Sequence, residues 1–308
     1  MDDDSPIRPG TQSDRTTDGG RNNRVRPRPR DDENGYTAIP GESSIMIDQL
    51  PIPGYAAFHL VFVLPVIVVL GVVVHRRLSS HRIAGIGLLA ALALVYTVPW
   101  DNYLVARGVW YYGAGTVAAR IGHAPVGEYA FILLQPVLTG LWLHALGPAI
   151  DDEVSIAWRR RAVGVAFWLA VTAVGGLLVT TGAGYYLGAI LAWTAPVLAL
   201  QWGVGGPALL RHRRLVGLAV LAPTAYLWIV DRIAIGLGLW ELSPAFTTGL
   251  AVPVLGLPVE EAVFFALTNL LVVQGIVLFH WVLEVVAAGT VADGFDALVP
   301  VGVIARWR

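Results

Sequence analysis

Seven apolar runs, each close to the length that crosses a bilayer, leave this chain very few folds. They cover about residues 56–75, 83–99, 128–146, 162–181, 185–203, 215–231 and 261–283. A helix needs roughly 20 apolar residues to cross the hydrocarbon core. In lipid, every backbone N–H and C=O must be satisfied internally, which helices do within one segment. The sequence therefore predicts an all-α, polytopic membrane protein with seven transmembrane helices. Hydrophobic residues fill 56% of 308 positions and charged residues only 14%, which excludes an ordinary soluble domain.

The runs are organised as a duplication. Near residue 100 the chain reads PWDNYLVARGVWYYG, then PVGEYAFILLQ from Pro125; near residue 230 it reads IVDRIAIGLGLW, then PVEEAVFFALTN from Pro258. In each half an Asp closes an apolar run, a Gly-x-Trp follows, and a Glu opens the next run. The Asp-to-Glu spacing is 27 in the first copy and 30 in the second. Self-similarity of this kind marks an internal repeat. Helices one to three then form the first repeat, helices five to seven the second, and helix four links them. Equivalent helices are four apart and cross in the same direction. The two three-helix repeats are expected to be parallel, related by an axis near the membrane normal, with one shared site between them. The expected divisions are a tail at 1–45, a first repeat at 46–150, a linker helix at 151–182, a second repeat at 183–286 and a C-terminal tail at 287–308.

Residues 1–45 are rich in Asp, Arg, Gly, Asn, Pro and Ser, with almost nothing to bury, and are expected to be disordered. No short apolar core precedes a cleavage site there, so a signal peptide is not expected. All 21 basic residues are Arg. Nine of them gather in alternate loops: Arg76, Arg77 and Arg82, then Arg159, Arg160 and Arg161, then Arg211, Arg213 and Arg214, with only Arg107, Arg120 and Arg232 near the membrane on the opposite side. The positive-inside rule puts these loops in the cytoplasm, the N-terminus outside and the C-terminus inside. The expected location is the cell membrane, in contact with membrane lipid, with no nucleic-acid partner. The absence of Lys excludes a seven-helix retinal protein, which holds its chromophore on a Lys amine. The absence of Cys excludes disulfide and thiol chemistry.

Two pairs of carboxylic acids stand at membrane depth. Asp101 and Asp231 close helices two and six; Glu128 and the pair Glu260-Glu261 open helices three and seven. Ionisable groups at such depth are costly and usually face a protein interior. Each has an ordinary reading as well. A Glu in the first helical turn complements the helix dipole, and an Asp at a helix end can hold a neighbouring loop. The duplication of Asp, Trp and Glu in order favours a site. Helical spacing from Glu128 leads to Gln135 and Thr139, and from Glu261 to Phe265 and Thr268, with Asn269 beside it. Trp100, Trp110 and Trp240 are either interfacial belt residues or aromatic walls able to face a carbocation. Asn102 and Arg232 occupy equivalent places beside the Asp residues. His59, His123, His144 and His280 show no metal-ligand spacing, so no metal and no cofactor is expected; His123, near Glu128, is a candidate proton relay. GAGYYLG at 182–188 and GVGGP at 203–207 lack dinucleotide-binding spacing.

The segments YTVPWDNYLVARGVWYY and LPVEEAVFFALTNLLV resemble the lycopene cyclase domain of the membrane-embedded carotenoid cyclases, over roughly residues 55–285. That family occurs as two small subunits or as one fused chain with two domain copies, and this chain looks like the fused form. The resemblance implies catalytic carboxylates at Asp101, Glu128, Asp231, Glu260 and Glu261, and a substrate-binding surface drawn from Trp100, Asn102, Trp110, Gln135, Trp240, Phe265, Thr268 and Asn269. It implies lycopene and other lipophilic carotenoids as partners, association with other carotenoid enzymes, and closure of ψ-ends to β-rings without net redox change. Such a site needs a neutral carboxylic acid, an ionised carboxylate and a dry cavity. Glu261 or Glu128 is expected as the acid, with Asp101 and Asp231 as base or cation stabiliser. Two departures from the family pattern make the halves unequal: Gly127 stands where a second Glu is often found, and Ile229-Val230-Asp231 replaces Pro-Trp-Asp. Two rivals remain at this stage. A carotenoid hydratase would let water capture the same cation. A small-solute transporter would need a more polar midplane than these runs provide. Asp151-Asp152-Glu153, the one acidic run between helices, reads as a solvated loop.

Overall fold

The computed structural model describes residues 54–150 and 157–287. Apart from Ala287, the expected terminal tails lie outside the described residues, as does the acidic run at 151–153. Seven helices are long and apolar enough to cross a membrane: α1 (Gly54–Arg77), α2 (Ser80–Ala106), α3 (Val126–Ala145), α4 (Trp158–Leu178), α5 (Tyr185–Arg211), α6 (Arg213–Gly236) and α7 (Val259–Ala287). They match the seven apolar runs and extend most of them by a turn or more. To this mostly helical architecture the structure adds four short strands: β1 (Trp110–Tyr112), β2 (Arg120–Ile121), β3 (Ala124–Pro125) and β4 (Trp240–Leu242). Their two or three residues are too few to show as an alternating pattern in sequence.

Local chemistry sets the helix ends. Ser79 caps α2, its hydroxyl accepting from Arg82 N–H at 3.4 Å. At the far end of α2, Gly108 turns left-handed at φ 71°, and Gly238 does the same after α6 at φ 67°. Val109 N–H then reaches Leu104 O at 3.1 Å, and Leu239 N–H reaches Ala234 O at 3.1 Å. Both helices thus stop in a Schellman motif, whose left-handed residue is usually Gly because a Cβ is penalised there. In α1 the ladder widens to a π-turn over His59–Val63, with Leu64 N–H bonded to His59 O. Pro65 follows directly; it has no N–H to give Val61 O and its ring crowds that carbonyl.

The Gly turns deliver β1 and β4 to each other. The strands pair antiparallel with Trp110 opposite Leu242, Tyr111 opposite Glu241 and Tyr112 opposite Trp240. Gly113 N–H bonds Leu239 O at 3.2 Å and Ser243 N–H bonds Val109 O at 2.8 Å. This small ribbon closes one end of the bundle. The arginine-rich loops lie at the other end, where α1 and α5 finish and α2, α4 and α6 begin. Helix α4 packs chiefly on α5 and stands at the edge of the bundle.

Side chains of α3, α6 and α7 meet in a buried polar knot. Asn269 Oδ1 accepts from Gln135 Nε2 at 2.7 Å and from Thr139 Oγ1 at 2.6 Å, while Asn269 Nδ2 donates to Thr224 Oγ1 at 3.1 Å and Phe265 O at 2.9 Å. Lipid offers no hydrogen-bond partners, so such interhelical bonds act as glue. Replacing Asn269 with Leu removes all four of these bonds, leaving Gln135 and Thr139 only the 3.2 Å bond to each other and Thr224 Oγ1 without its Asn269 donor. The Asn269→Leu variant is expected to lose about 1–2 kcal/mol of stability, measured as a lower thermal unfolding midpoint in detergent micelles.

Candidate active site

Asp101 and Asp231 each fall about two turns before the left-handed Gly of a Schellman stop, so α2 and α6 carry them to the ribbon end of the bundle. Glu128 and Glu261 lie in the first turns of α3 and α7, which start at that same end. All four line one cavity, about 670 Å³ of unfilled space with its open end included, walled by Trp100, Trp110, Trp240, Phe58, Phe131 and Phe265 among others. Asp101 lies within electrostatic reach of Glu128, Asp231 of Glu261, and Glu261 of Glu128. The duplicated Asp and Glu residues therefore converge, and Trp110 and Trp240 form walls of the cavity.

The hydrogen bonds have a direction. Trp110 Nε1 donates to Tyr112 Oη at 2.7 Å, and Tyr112 Oη lies 2.7 Å from Glu128 Oε1. An indole N–H can only donate, so the Tyr112 oxygen accepts from Trp110 and its own proton goes to Glu128. Burial, and after it the Glu128 carboxyl, hold the Tyr112 phenol far above its ordinary range, which keeps it a neutral donor. Tyr55 brings a second hydroxyl to Glu128. In the other half, Trp240 Nε1 donates directly to Asp231 Oδ1 at 3.1 Å, and Tyr186 donates to Glu261 Oε1 at 3.0 Å. Among the described residues no donor reaches Asp101, whose Oδ2 is buried without a partner.

Several residues expected at the site have other work. Glu260 is 0% exposed but lies outside the cavity lining. Its Oε1 accepts from Thr248 N–H at 2.6 Å and Thr248 Oγ1 at 2.7 Å, tying down the loop before α7. Asn102 also lies outside the lining. Its Oδ1 accepts from His123 N–H at 2.8 Å and Ala124 N–H at 3.1 Å, and its Nδ2 donates to Val98 O and Tyr129 Oη. It therefore clamps the β2–β3 turn, and His123 is an exposed member of that turn. Asn269 belongs to the polar knot. Gln135 and Thr268 line a neighbouring apolar groove instead. Arg232 makes no bond to Asp231; Trp240 does. Sequence reasoning missed Tyr55, Tyr112 and Tyr186, the three hydroxyls on the carboxyl groups. Tyr112 stood two residues beyond the repeated Gly-x-Trp. Gly54-Tyr55 and Gly184-Tyr185 stand 130 residues apart, as Asp101 and Asp231 do.

Gly127 has a structural reason. The Tyr55 ring lies on it, and a Cβ added there would sit 2.6 Å from Tyr55 Cδ1. The missing side chain is what lets Tyr55 approach Glu128.

The chain is 48% identical over 231 residues to a lycopene beta-cyclase of Halobacterium salinarum, a match covering 74% of this chain and 97% of that protein. It is 33% identical over 253 residues to a bifunctional lycopene cyclase/phytoene synthase of Leptosphaeria maculans, covering 76% of this chain and 42% of that protein. A protein of the same description from Sporisorium reilianum is 34% identical over 238 residues, covering 73% of this chain and 34% of that protein. No family model matches the chain, and no solved structure does.

The fit of Tyr55 over Gly127 can be tested by overpacking. Gly127→Ala is expected to cost about 1–3 kcal/mol of stability, read as a lower thermal midpoint. Gly176→Ala, where nothing lies within 4 Å of the new Cβ, is expected to be neutral or slightly stabilising.

Proposed function

The chain belongs to the lycopene cyclase family, and from that premise we propose that it is a lycopene β-cyclase, closing the ψ-ends of lycopene to β-rings to give γ-carotene and then β-carotene. The observation that carries this reading is the cavity itself: four carboxyl groups from two duplicated motifs, enclosed by aromatic walls at one end of an apolar bundle. Ring closure has matching demands. A proton is added to the terminal double bond, and the resulting cation is attacked by the neighbouring double bond of the same chain. A proton is then lost from the new ring. One proton enters and one leaves, so no oxidant, metal or cofactor is consumed.

The hydrogen-bond directions favour a division of labour opposite to the expectation from sequence. Glu128 receives two phenol protons, an arrangement that suits an ionised carboxylate, and we assign it the base. Asp101 receives none among the described residues, so its proton-bearing form forfeits no hydrogen bond there; we assign it the acid. Asp231 and Glu261, each held by one donor, would steady the cation by charge. The faces of Trp100, Trp110 and Trp240 would do so by their π-electrons. The apolar walls would keep water from capturing the cation, which separates this reaction from hydration.

The proposal includes the architecture: two parallel three-helix repeats linked by α4. The ribbon register supports it. Residues 110, 111 and 112 face 242, 241 and 240, and the copies are offset by 130 residues. Each residue thus faces the counterpart of its own mirror position, as a two-fold axis through Tyr111 and Glu241 requires. We also assign the arginine-rich loops to the cytoplasm of a cell membrane, which places the cavity toward the external leaflet.

Expression in a lycopene-accumulating bacterium should convert lycopene to cyclic carotenes on pigment chromatography. Unchanged lycopene, with the protein present in the membrane, would refute the assignment, and a hydroxylated product would replace it with hydration. Asp101→Asn is expected to lower turnover by about 10²-fold or more, the scale of general acid catalysis. Tyr112→Phe, which unties Glu128 from Trp110, should cost about tenfold through the loss of one oriented hydrogen bond. An Asp101→Asn enzyme with full activity would move the acid to another carboxyl.

A further inference from the structure

Directly below the carboxylate cavity lies a second, nearly all-apolar groove of about 1050 Å³, formed between α2, α3, α5 and α7. The two share Thr97, Phe131, Ile132 and Phe264, so one continues into the other. On α2 the groove runs from Thr97 to Leu89, about 12 Å at the helical rise. Its outer rim includes Leu92, 54% exposed, and Leu200, 66% exposed, so it opens sideways through the wall of the bundle. In a membrane that side faces lipid.

A stack of aromatic rings stands where the groove meets the cavity. Trp100 stacks on Trp193 at 4.4 Å and 15°, and on Phe264 at 6.1 Å and 1°. Tyr96 stacks on Trp193 at 5.6 Å and 14°. Tyr96 Oη fixes the arrangement by donating to Trp193 O at 2.9 Å. The stack sets three aromatic side chains, Tyr96, Trp193 and Phe264, on the groove wall, where the π-electrons of a conjugated chain can pack against them. Two of the groove's amide groups are occupied elsewhere, Gln135 Nε2 in the polar knot and Gln201 Nε2 on Leu271 O at 2.9 Å, while Gln201 Oε1 and Trp193 Nε1 are buried without a partner.

The corresponding place in the other half differs by one residue already visible in the sequence. Tyr226, the counterpart of Tyr96, keeps the equivalent bond, donating to Phe62 O at 2.6 Å. But Val230 stands where Trp100 does in the first half. There the space is filled by packed core, including Tyr55, Phe58, Val63, Leu138 and Val230.

Resting on the cyclase reading, we infer that this groove binds the linear polyene of the carotenoid substrate, admitting it sideways from the bilayer and presenting one ψ-end at a time to the carboxyl groups. The test uses the full-length protein in proteoliposomes, with lycopene and with a short apolycopenal that carries one ψ-end but too little chain to fill the groove. Ala93→Trp and Val197→Trp plug the groove. Each is expected to lower the ratio of kcat/KM for lycopene over the apolycopenal by about tenfold. Val95→Trp, on a 75% exposed position outside the groove, should leave the ratio unchanged. An unchanged ratio in both plugged variants, including a parallel loss on both substrates, would overturn the inference and leave the groove to lipid chains. A wild-type protein that cyclises neither substrate would instead overturn the cyclase reading on which it rests.

Discussion

A carboxyl group placed inside a bilayer must find its hydrogen bonds within the protein, and the ribbon end of this bundle is arranged around that requirement. Water cannot be relied on there, and an unmatched charge costs several kcal/mol. The donors are supplied by aromatic side chains, whose rings are at home in an apolar setting while their N–H and O–H groups are not. Trp110, Tyr112, Tyr55, Trp240 and Tyr186 each turn a polar tip inward. The Schellman stops at Gly108 and Gly238 and the β1–β4 pairing exist upstream of this chemistry: they decide where those tips point. A helix running on past Arg107 would have carried Trp110 away from Tyr112 and Glu128.

The repeated Asp, Trp and Glu motif carries different side-chain wiring in its two copies. Trp110 reaches a carboxyl through Tyr112, but at the position equivalent to Tyr112 the second half has Leu242, and Trp240 goes straight to Asp231. Gly127 leaves room for the Tyr55 ring, whereas Glu260 at the corresponding point turns away to hold Thr248. A symmetric cavity would offer two equal carboxyl pairs. This one offers pairs that divide their donors differently, none and two in the first against one and one in the second, and a reaction that adds one proton and removes another can use that inequality.

How much of this could be read in the sequence depended on whether a residue's role follows from local pattern. Asp101, Glu128, Asp231, Glu261, Trp110 and Trp240 were legible because duplication marks them and helix direction brings their ends together. The seven spans were legible because the bilayer fixes their length. Glu260 and Glu261 could not be told apart, since adjacent helical residues point about 100° apart and only packing shows which one faces inward. Asn102 carries the motif's strongest signature yet secures a turn, and Asn269 on the polar strip secures three helices. Both roles depend on partners far away in sequence. Tyr55 and Tyr186 were hidden because an aromatic at the start of an apolar helix is commonplace at a membrane interface.

The replacement of Pro-Trp-Asp by Ile-Val-Asp in the second copy carries a consequence larger than one lost ring. In the first half Trp100 stacks with Trp193 and Phe264 at the junction of cavity and groove; in the second, Val230 stands at the corresponding position among packed core residues. The sequence repeat therefore does not extend to the inferred polyene path. A symmetric polyene with two identical ends would meet an enzyme with one groove and one cavity. If the groove binds the polyene as inferred, one end would lie at the carboxyl groups while the other extends along the groove toward lipid. Closing the second ring would then require the half-cyclised molecule to leave, reverse and return, and the monocyclic product would be released between the two steps.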